Sequence, residues 1–164
     1  MPYWRLSGFY LFYFASLGIL VPYWSLYLKD LGFTALQIGE LMAILMATKI
    51  ISPNIWGWIA DHTGHRMWIV RVGSLLALLT FIGIFFVDGY WGVALVMLLF
   101  SFFWNAALPQ FEANTLSFLG KDHHKYSEIR IWGSIGFIVA VAALGLVLEG
   151  SSPAILPSIL LMIF

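Results

Sequence analysis

Residues 101–137 read SFFWNAALPQFEANTLSFLGKDHHKYSEIRIWGSIGF. This stretch predicts two apolar helices joined by a short charged turn at 120–125. One acid, Glu112, lies inside the first apolar run, and one base, Arg130, lies just inside the second. A hairpin folded about Lys121 places both roughly 10 Å from the turn, at about 1.5 Å per helical residue. Ionisable groups are costly at such depth in an apolar helix, so the pair is a candidate functional site.

The composition is that of an integral membrane protein. Hydrophobic residues make up 62% of the 164 residues, charged residues only 10%, and the mean hydropathy is +0.93. Soluble domains carry about 25% charged residues, so these side chains cannot cover a water-facing surface. The formal net charge is zero, which argues against nucleic acid as a partner. The absence of cysteine excludes disulfides and thiolate chemistry.

Five apolar runs are long enough to cross a hydrocarbon core of about 30 Å, which takes ~20 residues. They predict helices at 6–28, 36–60, 68–87, 91–119 and 126–148. A sixth run at 153–164 is expected to be an incomplete helix, because a span that stops halfway leaves backbone groups unpaired in lipid. The first run exceeds a signal-peptide core and no cleavage site follows it, so we expect it to remain as a span. The predicted fold class is all-α and integral to the membrane.

Basic residues between the predicted helices indicate an orientation. One side holds only Lys29, whereas the other side holds Arg5, Arg66, Arg71, Lys121 and Lys125. The positive-inside rule then places the N-terminus and the second and fourth connections in the cytoplasm. We therefore expect a multi-pass protein of the inner cell membrane, with the lipid bilayer as a partner.

A polar motif closes the second predicted helix. Residues 57–66 read GWIADHTGHR and fit the pattern G-x-x-x-D-x-x-G-x-R. Gly57 permits a close helix contact, Asp61 can accept a hydrogen bond from an arginine or a helix N-terminus, and Gly64 allows a tight reversal. With Arg66 at its end, this motif resembles the loop signature of the major facilitator superfamily between helices two and three. The alternative interpretation is an ordinary polar turn.

Two histidines lie in the same motif. His62 and His65 have no acidic or thiol partner at ligand spacing, so we predict no metal site.

Two further segments resemble the lactose permease branch of this superfamily. They are PQFEA at 109–113 and RIWGSIGF at 130–137. In that branch a glutamate on helix four and an arginine on helix five pair and contact the substrate. The resemblance implies these roles for Glu112 and Arg130, and it places Phe137 where that branch has a tryptophan that stacks on the sugar.

The segment PYWSLYLKDLGFT at 22–34, with the basic residue in helix two, looks more like the phenylpropionate permeases. The fold implied is the N-terminal six-helix half of a twelve-helix transporter, with its sixth helix incomplete and its C-terminal half absent from this sequence.

Polar residues at helical spacing support the same sites and add Asn105 to the predicted substrate-binding residues. Ser101, Asn105 and Glu112 share one face of the fourth helix, and Arg130 and Ser134 share one face of the fifth. The alternative is that such groups only hydrogen-bond neighbouring helices, and we favour it for the two serines. A purely structural charge pair is rarely better than apolar packing, so we favour a functional role for Glu112 with Arg130.

Lys49 lies near the midpoint of the second helix. Its ammonium is too central to reach an interface easily, so it must face a cavity, a carboxylate or the substrate. A structural partner on an adjacent helix is the alternative, and the residues alone do not decide between them.

The resemblance implies secondary active transport by alternating access, coupled to a proton. Lys49 and Arg130 against Glu112 leave a net positive site, which favours an aromatic or other organic acid as the substrate. A neutral oligosaccharide or nucleoside is the alternative, for which Phe137 is a weaker stacking platform than tryptophan. An alternative of another class is a membrane scaffold or assembly factor that does not transport. No nucleophile–base set or metal cluster is evident, so we predict that the chain is not an enzyme and needs no cofactor.

Overall fold

The computed structural model describes residues 3–164, apart from the side chain of His123. Six α-helices account for most of this part of the chain: α1 Tyr3–Asp30, α2 Ala35–Thr63, α3 Arg66–Ile82, α4 Gly89–Leu119, α5 Tyr126–Glu149 and α6 Leu156–Ile163. Short 3-10 helices lie at Gly83–Phe85, Gly120–Lys125 and Pro153–Ile155. Five of the helices, α1 to α5, are long and apolar enough to cross a membrane, with α3 continued by the 3-10 helix to Phe85. The prediction of an all-α integral membrane protein is confirmed.

The second helix is longer than the apolar run alone because both of its ends are capped. The Thr34 hydroxyl accepts from the Gln37 N–H at 3.3 Å, and the Gln37 side chain accepts from the Thr34 N–H at 3.0 Å. This reciprocal pair is a capping box. At the other end Gly64 has a φ of 69°, and its N–H donates to the Ala60 carbonyl at 2.8 Å. Pro53 lies inside this continuous helix and does not end it.

The connection between α4 and α5 is itself helical. The predicted charged turn forms a 3-10 helix, Gly120–Lys125, which starts at a glycine with a φ of 52°. Within it Lys125 Nζ lies 3.5 Å from Asp122 Oδ2. A left-handed residue directly after α4 stops that helix, since this conformation favours glycine.

The chain divides into two compact units, which we describe separately. One contains residues 1–32 and 118–164, and the other contains residues 33–117. The first unit therefore holds α1, α5 and α6, and the second holds α2, α3 and most of α4.

In the first unit, glycines let the backbones of α1 and α5 approach closely. A Cβ at Gly18 would lie 2.8 Å from the carbonyl oxygen of Phe137. A Cβ at Gly136 would overlap the backbone of Leu11. The hydrophobic effect does not drive association between helices in lipid, so helices associate through close packing, which small residues at the crossing permit.

In the second unit, the start of α3 packs against α2 and α4 through a buried apolar cluster. Ala60, Ile69 and Ala106 are buried together, with Trp56 and Ile59 packed against them. This cluster fixes the positions of the helix ends that carry the polar motif at 57–66.

Candidate functional site

The polar motif at the end of α2 forms an ion pair. Arg66 Nη2 lies 2.9 Å from Asp61 Oδ1, and the two side chains are 42% and 67% exposed. Gly64 takes the left-handed conformation between them, which is the tight reversal that its position predicts. A Cβ at Gly57 would lie 3.8 Å from the Gln110 side chain, an ordinary contact, so the second unit does not require glycine there.

A surface cavity of about 640 Å³ lies beside this ion pair. It opens between the start of α3 and the last turns of α4, and its lining consists of Gly64, His65, Arg66, Met67, Trp68, Asn114 and Ser117. The two α4 residues, Asn114 and Ser117, carried no signal in the sequence beyond being polar.

A buried chain of hydrogen bonds joins α2 to α4. Thr48 donates to the Ser101 hydroxyl at 2.8 Å, and the Asn105 amide donates to Thr48 at 3.3 Å. One turn further along α2, the Ser52 hydroxyl donates to the Phe102 carbonyl. Ser101 is fully buried and Asn105 is only 7% exposed. The Asn105 amide nitrogen thus serves the helix contact here, whereas its predicted contact with substrate stays a prediction.

Lys49 follows Thr48 directly but faces away from that contact. Thr48 is buried against α4, whereas Lys49 is exposed, as expected for neighbours about 100° apart around a helix. It lies at the midpoint of α2, roughly 20 Å from either end at about 1.5 Å per residue. Within its own unit, residues 33–117, no carboxylate forms an ion pair with it.

Glu112 is half-buried on α4. It follows Asn105 by two helical turns on the same face. Glu112 belongs to the second unit and Arg130 to the first, so their pairing stays a prediction.

Arg130 lies against aromatic rings of α1 in the first unit. Its guanidinium carbon is 3.9 Å from the centroid of the Phe14 ring and 5.4 Å from that of Tyr10. One turn later on α5, Ser134 is exposed, and Phe137 is half-buried with its backbone against Gly18.

The family model described as the MFS_1 like family matches residues 3–164. The chain belongs to this family of the major facilitator superfamily.

Among the residues described, no group of three or more His, Asp or Glu side chains is arranged to hold a metal ion.

Several curated relatives are similar over most of the chain. An uncharacterized transporter, YwbF, of Bacillus subtilis is 29% identical over 144 residues, covering 87% of this chain and 36% of its own length. The probable 3-phenylpropionic acid transporter of Escherichia coli is 28% identical over 148 residues, covering 87% and 37%. The maltose permease of Geobacillus stearothermophilus is 28% identical over 138 residues, covering 84% and 35%.

These relatives are transporters and permeases, so the prediction that the chain is not an enzyme is confirmed. The resemblance to the phenylpropionate permeases is confirmed as well. The matched part of this chain spans about a third of the length of these relatives. No solved structure matches significantly.

Proposed function

We propose that this chain is the N-terminal half of a secondary active transporter that moves a small organic acid by alternating access. The family and the relatives named as transporters support the general activity. In such folds the substrate binds near the midplane between two six-helix halves, which rock around it. Proton coupling is part of the proposal and rests on the resemblance alone.

The observation that carries the choice of an acid is the position of Lys49. Lys49 is exposed at the midpoint of α2, and no carboxylate of residues 33–117 forms an ion pair with it. A cation at this depth is costly without an anion. A carboxylate solute would supply that anion, so Lys49 binds the acid group in our proposal.

Glu112 and Arg130 complete the proposed site, in which Arg130 pairs with Glu112 and binds the carboxylate of the solute together with Lys49. Together with Lys49 they carry one net positive charge, which matches one carboxylate on the solute. Removing one member of a buried charge pair strands the other at a cost of about 3–5 kcal/mol. Asn105 and Phe137 would contact the remainder of the solute, with Phe137 as an apolar platform.

A neutral oligosaccharide is the second candidate, because one relative is named a maltose permease. A nucleoside would belong to the same class of neutral solutes. Both would be recognised by hydrogen bonds and ring stacking instead of by a charge. A non-transporting scaffold on the same fold is the alternative of another class. Such a protein would not need the charges of Lys49, Glu112 and Arg130.

The proposed orientation follows the basic residues, with the N-terminus and the motif at 57–66 in the cytoplasm. An inner-membrane location is part of the same proposal.

Uptake by the full-length transporter tests the proposal. We expect accumulation of an aromatic acid such as 3-phenylpropionate that stops when the proton gradient is collapsed. Glu112→Gln and Arg130→Met should each abolish it, whereas Glu149→Gln, at the end of α5, serves as the control. Accumulation of maltose but not of the acid would favour the second candidate, and no accumulation of any solute would favour the scaffold.

A further inference from the structure

The guanidinium of Arg130 is held by two rings that lie on one face of α1. Tyr10 and Phe14 are four residues apart, which puts them one above the other on that face. Both rings are within about 6 Å of the guanidinium carbon, the range of cation–π attraction. Tyr10 is fully buried, and Arg130 is half-buried.

A glycine keeps the space for this contact open. A Cβ at Gly133 would lie 2.8 Å from Arg130 Nη1 and 2.9 Å from Phe14 Cδ2. Both distances are shorter than a Cβ atom tolerates, so any larger residue would displace the guanidinium or the ring. Gly133 is one turn after Arg130 on α5. Because it has no side chain, the Arg130 side chain can lie along α5 against Phe14 of α1.

The two rings are themselves held by other aromatic residues. The Tyr10 ring lies edge-on to the Tyr126 ring, with centroids 6.4 Å apart and an angle of 87°. The Phe14 ring lies edge-on to that of Tyr13, with centroids 5.6 Å apart. Edge-to-face pairs of this kind are favourable beyond the area they bury. Tyr126 and Tyr13 therefore support the two rings that hold the guanidinium.

We infer that Phe14, Tyr10 and Gly133 are positioning residues that aim the Arg130 guanidinium at the carboxylate of the solute. The inference rests on the proposed function, in which Arg130 contacts that solute. Rings attract a guanidinium through its flat face, whereas its five N–H donors lie in the plane. Because both rings lie beside the guanidinium, they limit the directions that its fork of donors can take when it binds a carboxylate in the bidentate manner.

The contact between Arg130 and the two rings can be tested without any substrate. Phenylglyoxal modifies arginine, and peptide mapping resolves Arg130 from the other arginines. We expect Phe14→Leu to raise the modification rate of Arg130 about two- to thirty-fold, the range of cation–π contacts. Phe14→Tyr should leave the rate close to that of the wild type, since it retains a ring. Phe12→Leu is the matched control, because Phe12 is 57% exposed on the same helix.

An unchanged rate in Phe14→Leu would overturn the inference whatever the protein transports. Gly133→Ala is a second variant, which keeps both rings but adds a carbon that crowds the guanidinium and the Phe14 ring. It should raise the rate in the same way, and an unchanged rate would likewise count against the inference.

The role towards the solute is tested by binding of 3-phenylpropionate to the full-length transporter. We expect Phe14→Leu to weaken binding about two- to thirty-fold, and Phe14→Tyr and Phe12→Leu to bind like the wild type. Weak binding in Arg130→Met with normal binding in Phe14→Leu would overturn the positioning role and leave the proposed function standing. Normal binding in Arg130→Met would overturn both.

Discussion

Asp61 and Arg66 form an ion pair across the junction of α2 and α3, with Arg66 Nη2 2.9 Å from Asp61 Oδ1. Both side chains are substantially exposed, so the pair contributes only about 0–1 kcal/mol to stability. We therefore expect the pair to act by coupling the two helices, and we predict that it sets the balance between inward- and outward-facing states.

Asp61→Asn should therefore lower the transport rate of the full-length protein and leave substrate affinity within a few-fold. Stability should change by less than about 1 kcal/mol, because an exposed pair is lost. Asp122→Asn is the matched control, since Asp122 forms another exposed pair, with Lys125 at 3.5 Å. A large loss of affinity with an unchanged conformational equilibrium would count against this role.

Thr48→Val should destabilise the contact between α2 and α4. Thr48 bonds both Ser101 and Asn105, and valine would leave these buried groups with fewer partners. Bonds between membrane helices contribute about 0.6–1.7 kcal/mol each, so we expect a loss of about 1–3 kcal/mol. Thr80→Val is the control, because its hydroxyl bonds only carbonyls of its own helix. Thermal unfolding in detergent measures both, and equal effects would contradict the account.

Gly136→Ala should separate α1 from α5, because the added carbon overlaps the backbone of Leu11. Overpacking of this kind costs about 1–3 kcal/mol, and thermal unfolding in detergent measures it. Gly8→Ala is the control on α1, where a Cβ would meet nothing within 4 Å. That change should be neutral or slightly stabilising, since alanine favours a helix over glycine by about 1 kcal/mol. Gly136→Ala as stable as the wild type would show that the helices do not cross there.

Single cysteines test the proposed orientation, because the chain contains no cysteine of its own. Lys121 and Ser151 are both exposed in connections between helices. With a membrane-impermeant maleimide on intact cells, Ser151→Cys should be labelled and Lys121→Cys should be labelled only after the membrane is permeabilised. Labelling of Lys121→Cys from outside would contradict the cytoplasmic N-terminus.

Hydropathy sufficed to predict the number of spanning helices, since each span must satisfy its own backbone in lipid. Local chemistry sufficed for the reversal at Gly64, where the conformation favours glycine. The ends of α2 needed more than hydropathy, because the Thr34 cap and the polar turn up to Thr63 continue the helix beyond its apolar part.

Contacts between helices could not be predicted from the sequence in the same way. The sequence does not single out Thr48, because a hydroxyl in an apolar helix can bond a carbonyl of its own preceding turn, as Thr48 also does with Ile44. Only the rotation of α2 against α4 shows that it also meets Ser101. The chain has 14 phenylalanines, and nothing in their spacing singles out Phe14 as the ring beneath Arg130.

The measurement that tests the central claim most directly is binding of 3-phenylpropionate and of its amide to the full-length transporter and to Lys49→Met. A charge-assisted hydrogen bond contributes about 1.5–3 kcal/mol, so Lys49→Met should weaken binding of the acid about 10- to 150-fold. The amide should bind wild type and variant alike. Lys29→Met, which removes an exposed lysine at the end of α1, should leave both affinities unchanged. Equal losses for acid and amide would contradict the account, make Lys49 a structural partner and return the choice of substrate to the sugars.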